Sequence, residues 1–156
     1  MSSQNIDAKT QYAAACNAAE TLLVHKSAAE RLLPLLKTAL DEKMVTIRGC
    51  EETRKIIECE PASEADFGKE YLDYIISVKI VNSLDEAIRH INQYGSHHTD
   101  SIVTEDNSSA EKFMMLVDSA GVYHNCSTRF ADGYRYGFGA EVGISTGKLH
   151  ARGPVG

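Results

Sequence analysis

The run Ile75-Ile76-Ser77-Val78-Lys79-Ile80-Val81, with Ser83-Leu84-Asp85-Glu86 after it and then Ala87, Ile88 and Ile91, decides how this chain folds. Seven residues rich in β-branched side chains predict a strand. Ser83 and Glu86 have the spacing of a capping box, the three apolar residues share one helical face, and Gly95 after Tyr94 is a natural stop. A strand is therefore followed at once by a helix. Toward the C-terminus the pattern repeats. Ser101-Ile102-Val103-Thr104 reads as a strand, Ser108 and Glu111 as a capping box, and Ala110, Phe113, Met114 and Val117 as a helical stripe. Gly121 to Asn125 reads as another strand. Toward the N-terminus, Glu20 to His25 reads as a short buried strand and Ser27-Ala28-Ala29-Glu30 as a capping box. The helix after it carries Leu32, Leu33, Leu35, Leu36, Ala39 and Leu40, and Pro34 either kinks it or marks its first turn. Val45 to Arg48 is a further strand, and residues 49 to 74 are loop-rich. Strands alternating with helices through short connections predict an α/β layer with a mostly parallel sheet.

At 156 residues the chain is expected to form one domain. With 43% hydrophobic and 24% charged residues it has the composition of a globular protein rather than a disordered or fibrous one. A net charge of -6, without a Lys/Arg cluster, argues against nucleic acid and anionic membranes as partners. Apolar runs are far too short to cross a bilayer, and an intracellular location is expected. Cys16, Cys50, Cys59 and Cys126 form no C-x-x-C pair and have no zinc-ligand spacing to a histidine, so reduced thiols are expected.

From Asn125 onward glycines at 133, 137, 139, 143, 147, 153 and 156 alternate with Phe, Tyr, Arg and His. Such a tail, residues 126–156, suits close backbone approach to a ligand more than a core. Directly after the last strand, Asn125-Cys126-Ser127-Thr128-Arg129-Phe130 gathers an amide, hydroxyls and a guanidinium. Ligands of α/β folds bind beyond the carboxyl ends of strands, and Arg129 offers a fork for a carboxylate or phosphate. A turn cap plus a surface arginine fits the same residues equally well. Cys126 with His124 reads as a bystander thiol, and His97-His98 with Asp100 as a hydrogen-bonded loop pair, not a metal site. Neither of the glycine-rich phosphate motifs occurs; Gly137-Phe138-Gly139 is G-x-G alone.

Several blocks carry a resemblance. They are Asp7-Ala8-Lys9-Thr10-Gln11-Tyr12, Cys16 to Lys26, Ser96 to Asp106, Val117-Asp118-Ser119-Ala120, Asn125 to Phe130, Phe138 to Thr146 and Leu149 to Pro154. Together they resemble the γ-glutamyl phosphate reductase (glutamate-5-semialdehyde dehydrogenase) family, including the reductase half of bifunctional Δ1-pyrroline-5-carboxylate synthases, a branch of the aldehyde dehydrogenase superfamily. The resemblance implies a three-layer aldehyde-dehydrogenase-like catalytic domain and proline biosynthesis: a cysteine attacks γ-glutamyl phosphate and hydride from NADPH reduces the thioester.

It further implies that residues 1–156 are the catalytic-domain portion of a longer reductase, inactive alone. The nucleotide-binding domain would lie elsewhere, and the nucleophilic cysteine upstream of Met1. On that alignment Cys16 matches a second family cysteine and is not the nucleophile, and Cys126 stands where alanine is usual, so it inherits no role. Ala13 replaces a common proline. Carried over residue by residue, Glu70 resembles a glutamate that touches the nicotinamide ribose, and Arg129 an arginine near the acyl phosphate. Phe138 and Glu141 resemble a block lining the substrate mouth; Asn125, Ser127 and Thr128 complete the substrate-binding set. No metal is implied. A homo-oligomeric parent is expected, cytoplasmic, or mitochondrial if it is a fused synthase. The competing reading is an inactive stand-alone binding module that retains the fold.

Overall fold

The computed structural model describes residue 9, residues 14–137, residue 139, residues 145–149 and residue 152. Its largest unit is a four-stranded parallel sheet. In chain order, β1 (Thr21–His25) leads into α1 (Lys26–Asp41), then β2 (Thr46–Gly49), a one-turn α2 (Glu51–Arg54), β3 (Glu60–Pro61) and a 3-10 turn (Glu64–Gly68). β4 (Ile75–Val81) follows and inserts between β1 and β2, giving the order β1-β4-β2-β3. Thr21 lies opposite Ser77, and Thr46 opposite Ile75.

The core of this unit forms because α1 places Ala29, Leu33, Leu36 and Leu40 on one face at helical spacing. They meet Val24, Val45, Ile47, Ile57, Ile76 and Val78 from the strands and loops. Pro34 sits inside α1 rather than at its start. It lacks an amide proton for the previous turn, and the burial of Leu33 and Leu36 on either side carries the helix past it. The cap lies two residues earlier than Ser27, because the His25 ring accepts from the Ser27 amide and takes the capping role.

The second unit is smaller. α3 (Leu84–Tyr94) precedes β5 (Thr99–Ile102), α4 (Asn107–Leu116) and β6 (Gly121–His124). β5 and β6 pair in parallel, Thr99 opposite Gly121 and Ile102 opposite His124, with α4 as the crossover. Ser83 caps α3 by accepting from the Glu86 amide at 3.2 Å, while the Glu86 carboxylate reaches back to Asn82 rather than to Ser83. Gly95 ends α3 through close approach: a Cβ there would stand 2.6 Å from the Ile91 carbonyl oxygen. α4 is capped by Asp106, not by Ser108. The carboxylate accepts from the Ser108 amide through Oδ1 and from the Ser109 amide through Oδ2. The expected strand from Ser101 is Thr99–Ile102, and Met114 of the expected apolar stripe is exposed. Ile88, Phe113 and Val117 form the small core here. The α/β arrangement with mostly parallel strands expected from the sequence is present, as two parallel sheets with β1 and β5 facing one cleft.

Candidate functional site

That cleft has a volume of about 760 Å³. Its polar lining includes Cys16, Glu20, Glu70, Cys126, Ser127 and Thr128. Cys16 and Glu20 precede β1, Glu70 precedes β4, and Cys126 to Thr128 follow β6. The site therefore joins the amino ends of two strands in the large sheet to the carboxyl end of one in the small sheet. The rule that ligands sit beyond carboxyl ends anticipates only the second group.

Asn17 is the joint. Buried at 7% exposure, it offers three polar groups to the turn after β6. Thr128 Oγ1 donates to the Asn17 carbonyl oxygen at 2.8 Å, Asn17 Nδ2 donates to the Ala131 carbonyl oxygen at 2.8 Å, and Arg129 Nη1 donates to Asn17 Oδ1. The turn itself is a short 3-10 helix, Thr128–Phe130, capped by Ser127, whose Oγ accepts from the Arg129 amide at 3.3 Å. Ser127 and Thr128 line the cleft; Arg129 and Asn125 are not in its lining.

Asn125 works on the sheet instead. With φ at 55° it leaves the strand direction, and its side-chain amide pairs with the backbone of Thr104. Oδ1 accepts from the Thr104 amide at 3.0 Å and Nδ2 donates to the Thr104 carbonyl at 2.9 Å, which prolongs the β5–β6 pairing by a rung. Phe138 and Glu141 lie outside the described residues.

Glu70 is exposed on the cleft. Its neighbour Tyr71 is anchored: the hydroxyl donates to Asp66 Oδ1 at 3.0 Å and lies 2.9 Å from Ser77 Oγ. The Ser63 hydroxyl and amide, with the Arg48 guanidinium 2.6 Å away, hold the Asp66 carboxyl well below the usual carboxylate range. Leu72, at φ 54°, sits in the left-handed region that a leucine seldom occupies, between this anchor and β4. Lys9, fully buried, pairs with Glu20 at 2.7 Å. Burial pushes the Glu20 carboxyl up, and Lys9 pulls it the other way.

The two thiols on the cleft differ. Cys16 is exposed, whereas Cys126 is partly buried and burial pushes its thiol up. His124 Nε2 bonds the Thr104 carbonyl oxygen at 2.9 Å. His97 Nδ1 bonds the Asp118 carbonyl oxygen and His98 Nδ1 the Thr99 hydroxyl, both at 2.6 Å. These are the separate loop contacts expected of the pair. Among the described residues no group of His, Cys, Asp and Glu could hold a metal ion, and no helix is long and apolar enough to cross a membrane. Sequence reasoning missed Asn17 and Glu20. Asn17 stands beside Cys16, but its partners lie more than 110 residues away, at a separation no spacing rule reaches.

No family model matches the chain. Among curated proteins it is 67% identical over 151 residues to γ-glutamyl phosphate reductase 1 of Synechocystis sp., an alignment covering 97% of the chain and 35% of that relative. The crystal structure of γ-glutamyl phosphate reductase from Thermotoga maritima superposes with a TM-score of 0.96 at 52% identity, over 99% of this chain and 37% of that one. An NADP-dependent glyceraldehyde-3-phosphate dehydrogenase from Bacillus halodurans, complexed with NADP, shares the fold with a TM-score of 0.64 at 16% identity, covering 81% of this chain and 35% of that one. The resemblance to the reductase family and to the aldehyde dehydrogenase fold thus stands, and the chain spans about a third of the length of the curated relatives it matches.

Proposed function

We propose that this chain, which aligns as a segment of the γ-glutamyl phosphate reductase family, supplies the thiol-bearing face of an NADPH-dependent reductase that converts γ-glutamyl phosphate to glutamate-5-semialdehyde. The observation that carries this reading is the exposed Cys16 on a cleft shared with Ser127, Thr128 and Glu70, in a segment so close to named reductases. The rest of the parent would supply the nucleotide-binding domain, and the isolated residues 1–156 should not turn over. An inactive stand-alone module is not favoured, because relatives that match nearly the whole chain carry it as a third of a larger protein.

In this reading Cys16 takes the part of the thiol that the resemblance assigned upstream of Met1. Of the two thiols on the cleft it is the exposed one, open to a substrate, whereas burial disfavours the thiolate of Cys126. Cys16 gives up its proton to solvent and attacks the acyl carbon of the substrate as a thiolate; the C–S bond forms as the bond to the phosphate oxygen breaks, and inorganic phosphate departs from a thioester. Ser127 Oγ already accepts from the Arg129 amide, which leaves its own O–H to donate to an oxygen of the leaving phosphate. In this reading Phe138 and Glu141 belong to the substrate end, as the resemblance implies, while Asn125 and Arg129 stay outside the cleft lining and brace it through Thr104 and Asn17. Bound NADPH would supply the hydride that reduces the thioester, and the exposed Glu70 carboxylate suits acceptance of hydrogen bonds from its ribose hydroxyls. A cytoplasmic, homo-oligomeric parent accords with this reading.

The test is steady-state reduction by the full-length parent. Cys16→Ser should abolish γ-glutamyl-phosphate-dependent oxidation of NADPH, and Cys126→Ser should leave it within about twofold, as expected of a thiol outside the reaction. Full activity in Cys16→Ser would place the nucleophile elsewhere.

A further inference from the structure

Arg129 is the residue whose sequence and geometry point in different directions. A guanidinium grips an anion through either of two paired edges, Nε with Nη2 or Nη1 with Nη2. Here Nε is buried with no hydrogen-bond partner, which removes the first edge from any ligand in the cleft. Nη1 donates to Asn17 Oδ1, which engages the second. The side chain is absent from the cleft lining, although its neighbours Ser127 and Thr128 are part of it.

Asn17, in turn, cannot swing away. Its Nδ2 is drawn to the Ala131 carbonyl and its Oδ1 to the guanidinium, so the amide has one orientation that satisfies both. Its backbone carbonyl is held by Thr128. The next residue back is Cys16, and the Ala18 amide closes the same loop by donating to the Ala15 carbonyl at 2.9 Å.

We infer that Arg129 is a positioning residue: acting through Asn17, it fixes the loop that carries Cys16 against the turn after β6, and it does not bind the substrate's phosphate or carboxylate. This rests on the reading of Cys16 as the reacting thiol. It also explains why a loop from the large sheet and a turn from the small one come into register at the cleft with no shared strand between them.

The experiment is a double-variant cycle in the full-length reductase, with Arg129→Met, Asn17→Ala, the pair together, and Arg129→Lys. Arg129→Met should lower kcat by about ten- to a hundredfold, the range for one charged hydrogen bond, with KM for γ-glutamyl phosphate moving less than about twofold. Asn17→Ala should do the same, and the pair should be no worse than either alone, because both act through one contact. Arg129→Lys keeps a donor for Asn17 Oδ1 and should retain most of kcat. Hydrogen exchange at the Ala18 amide should quicken in Arg129→Met and not in Arg129→Lys.

An anion-binding arginine gives the opposite pattern: KM rises, lysine fails to substitute, the effects of the pair multiply, and Ala18 exchange is unchanged. That pattern, with Cys16→Ser inactive, overturns this inference alone. Full activity in Cys16→Ser overturns the underlying reading and the inference with it. If Arg129→Met does not fold, the Arg129→Lys KM and the Asn17→Ala exchange rate decide the matter in the same way.

Discussion

The two sheets are held together by different physics. Around the four-stranded sheet, ten buried apolar residues from α1, the strands and their loops pack into one core. The unit of β5 and β6 has three, Ile88, Phe113 and Val117, and relies on polar ties: Asn125 to Thr104, Ser101 to the Cys126 carbonyl, Ser119 to Asp100 and Asn92 to the Leu116 carbonyl. Apolar burial is non-directional and tolerates small shifts, whereas hydrogen bonds demand position. The large unit is accordingly the scaffold, and the small one presents residues whose placement must be kept.

If that contrast holds, truncation should hurt most in the scaffold. Leu33→Ala, at a site with no solvent exposure, should cost about 2–5 kcal/mol in urea or thermal unfolding. In the small unit Asn125→Ala removes two hydrogen bonds to Thr104 and puts a Cβ residue at positive φ, for an expected loss of about 1–3 kcal/mol. Asn125→Gly should lose less, since glycine accepts that backbone conformation. Equal effects of Leu33→Ala and Asn125→Ala would erase the distinction.

The difference between the units also explains what could be read from the sequence. β4 and α3 follow the expected bounds because β-branched composition and a Ser cap are local signals. The α1 and α4 caps shift because an upstream His25 ring and an Asp106 carboxylate outcompete serine, a choice set by three-dimensional reach. The separation of the sheets left no trace in the pattern, since each strand pairs with a neighbour whatever the sheet's extent. In the site, residues 125 to 129 stood out by chemistry, yet the roles of Asn125 and Arg129 depend on Thr104 and Asn17, which spacing does not connect to them.

A third difference lies at the seam. His90 of α3 is buried against Phe67 and Tyr94, its Nε2 has no hydrogen-bond partner, and Lys79 Nζ lies 3.4 Å from Nδ1. Burial first, and then the Lys79 charge, push its pKa down from 6.5 to about 4, while Glu64 and Glu86 oppose them. The unfolded chain therefore binds a proton that the folded one refuses, and stability should fall as pH drops from about 6.5 toward about 4. The slope is at most ~1.4 kcal/mol per pH unit, and His90→Phe should flatten it in that window. Asp66, held below the usual range, acts at lower pH: its stabilisation is present above the unfolded carboxylate range near 4 and is lost on further acidification. Thermal melts across pH, with Asp66→Asn as the second variant, separate the two windows. The smallest effect belongs to Met115, 82% exposed on α4, where Met115→Ala should change stability by no more than about 0.5 kcal/mol.

The claim that Cys16 is the reacting thiol has a direct measurement. In the reverse direction, semialdehyde and NADP are mixed with the full-length parent in the absence of phosphate, so that the acyl group has no acceptor and stays on the enzyme as a thioester. Digestion and mass spectrometry should then find the acyl increment on the peptide containing Cys16 and none on the peptide containing Cys126. An increment on Cys126, or on a cysteine outside residues 1–156, would contradict the account.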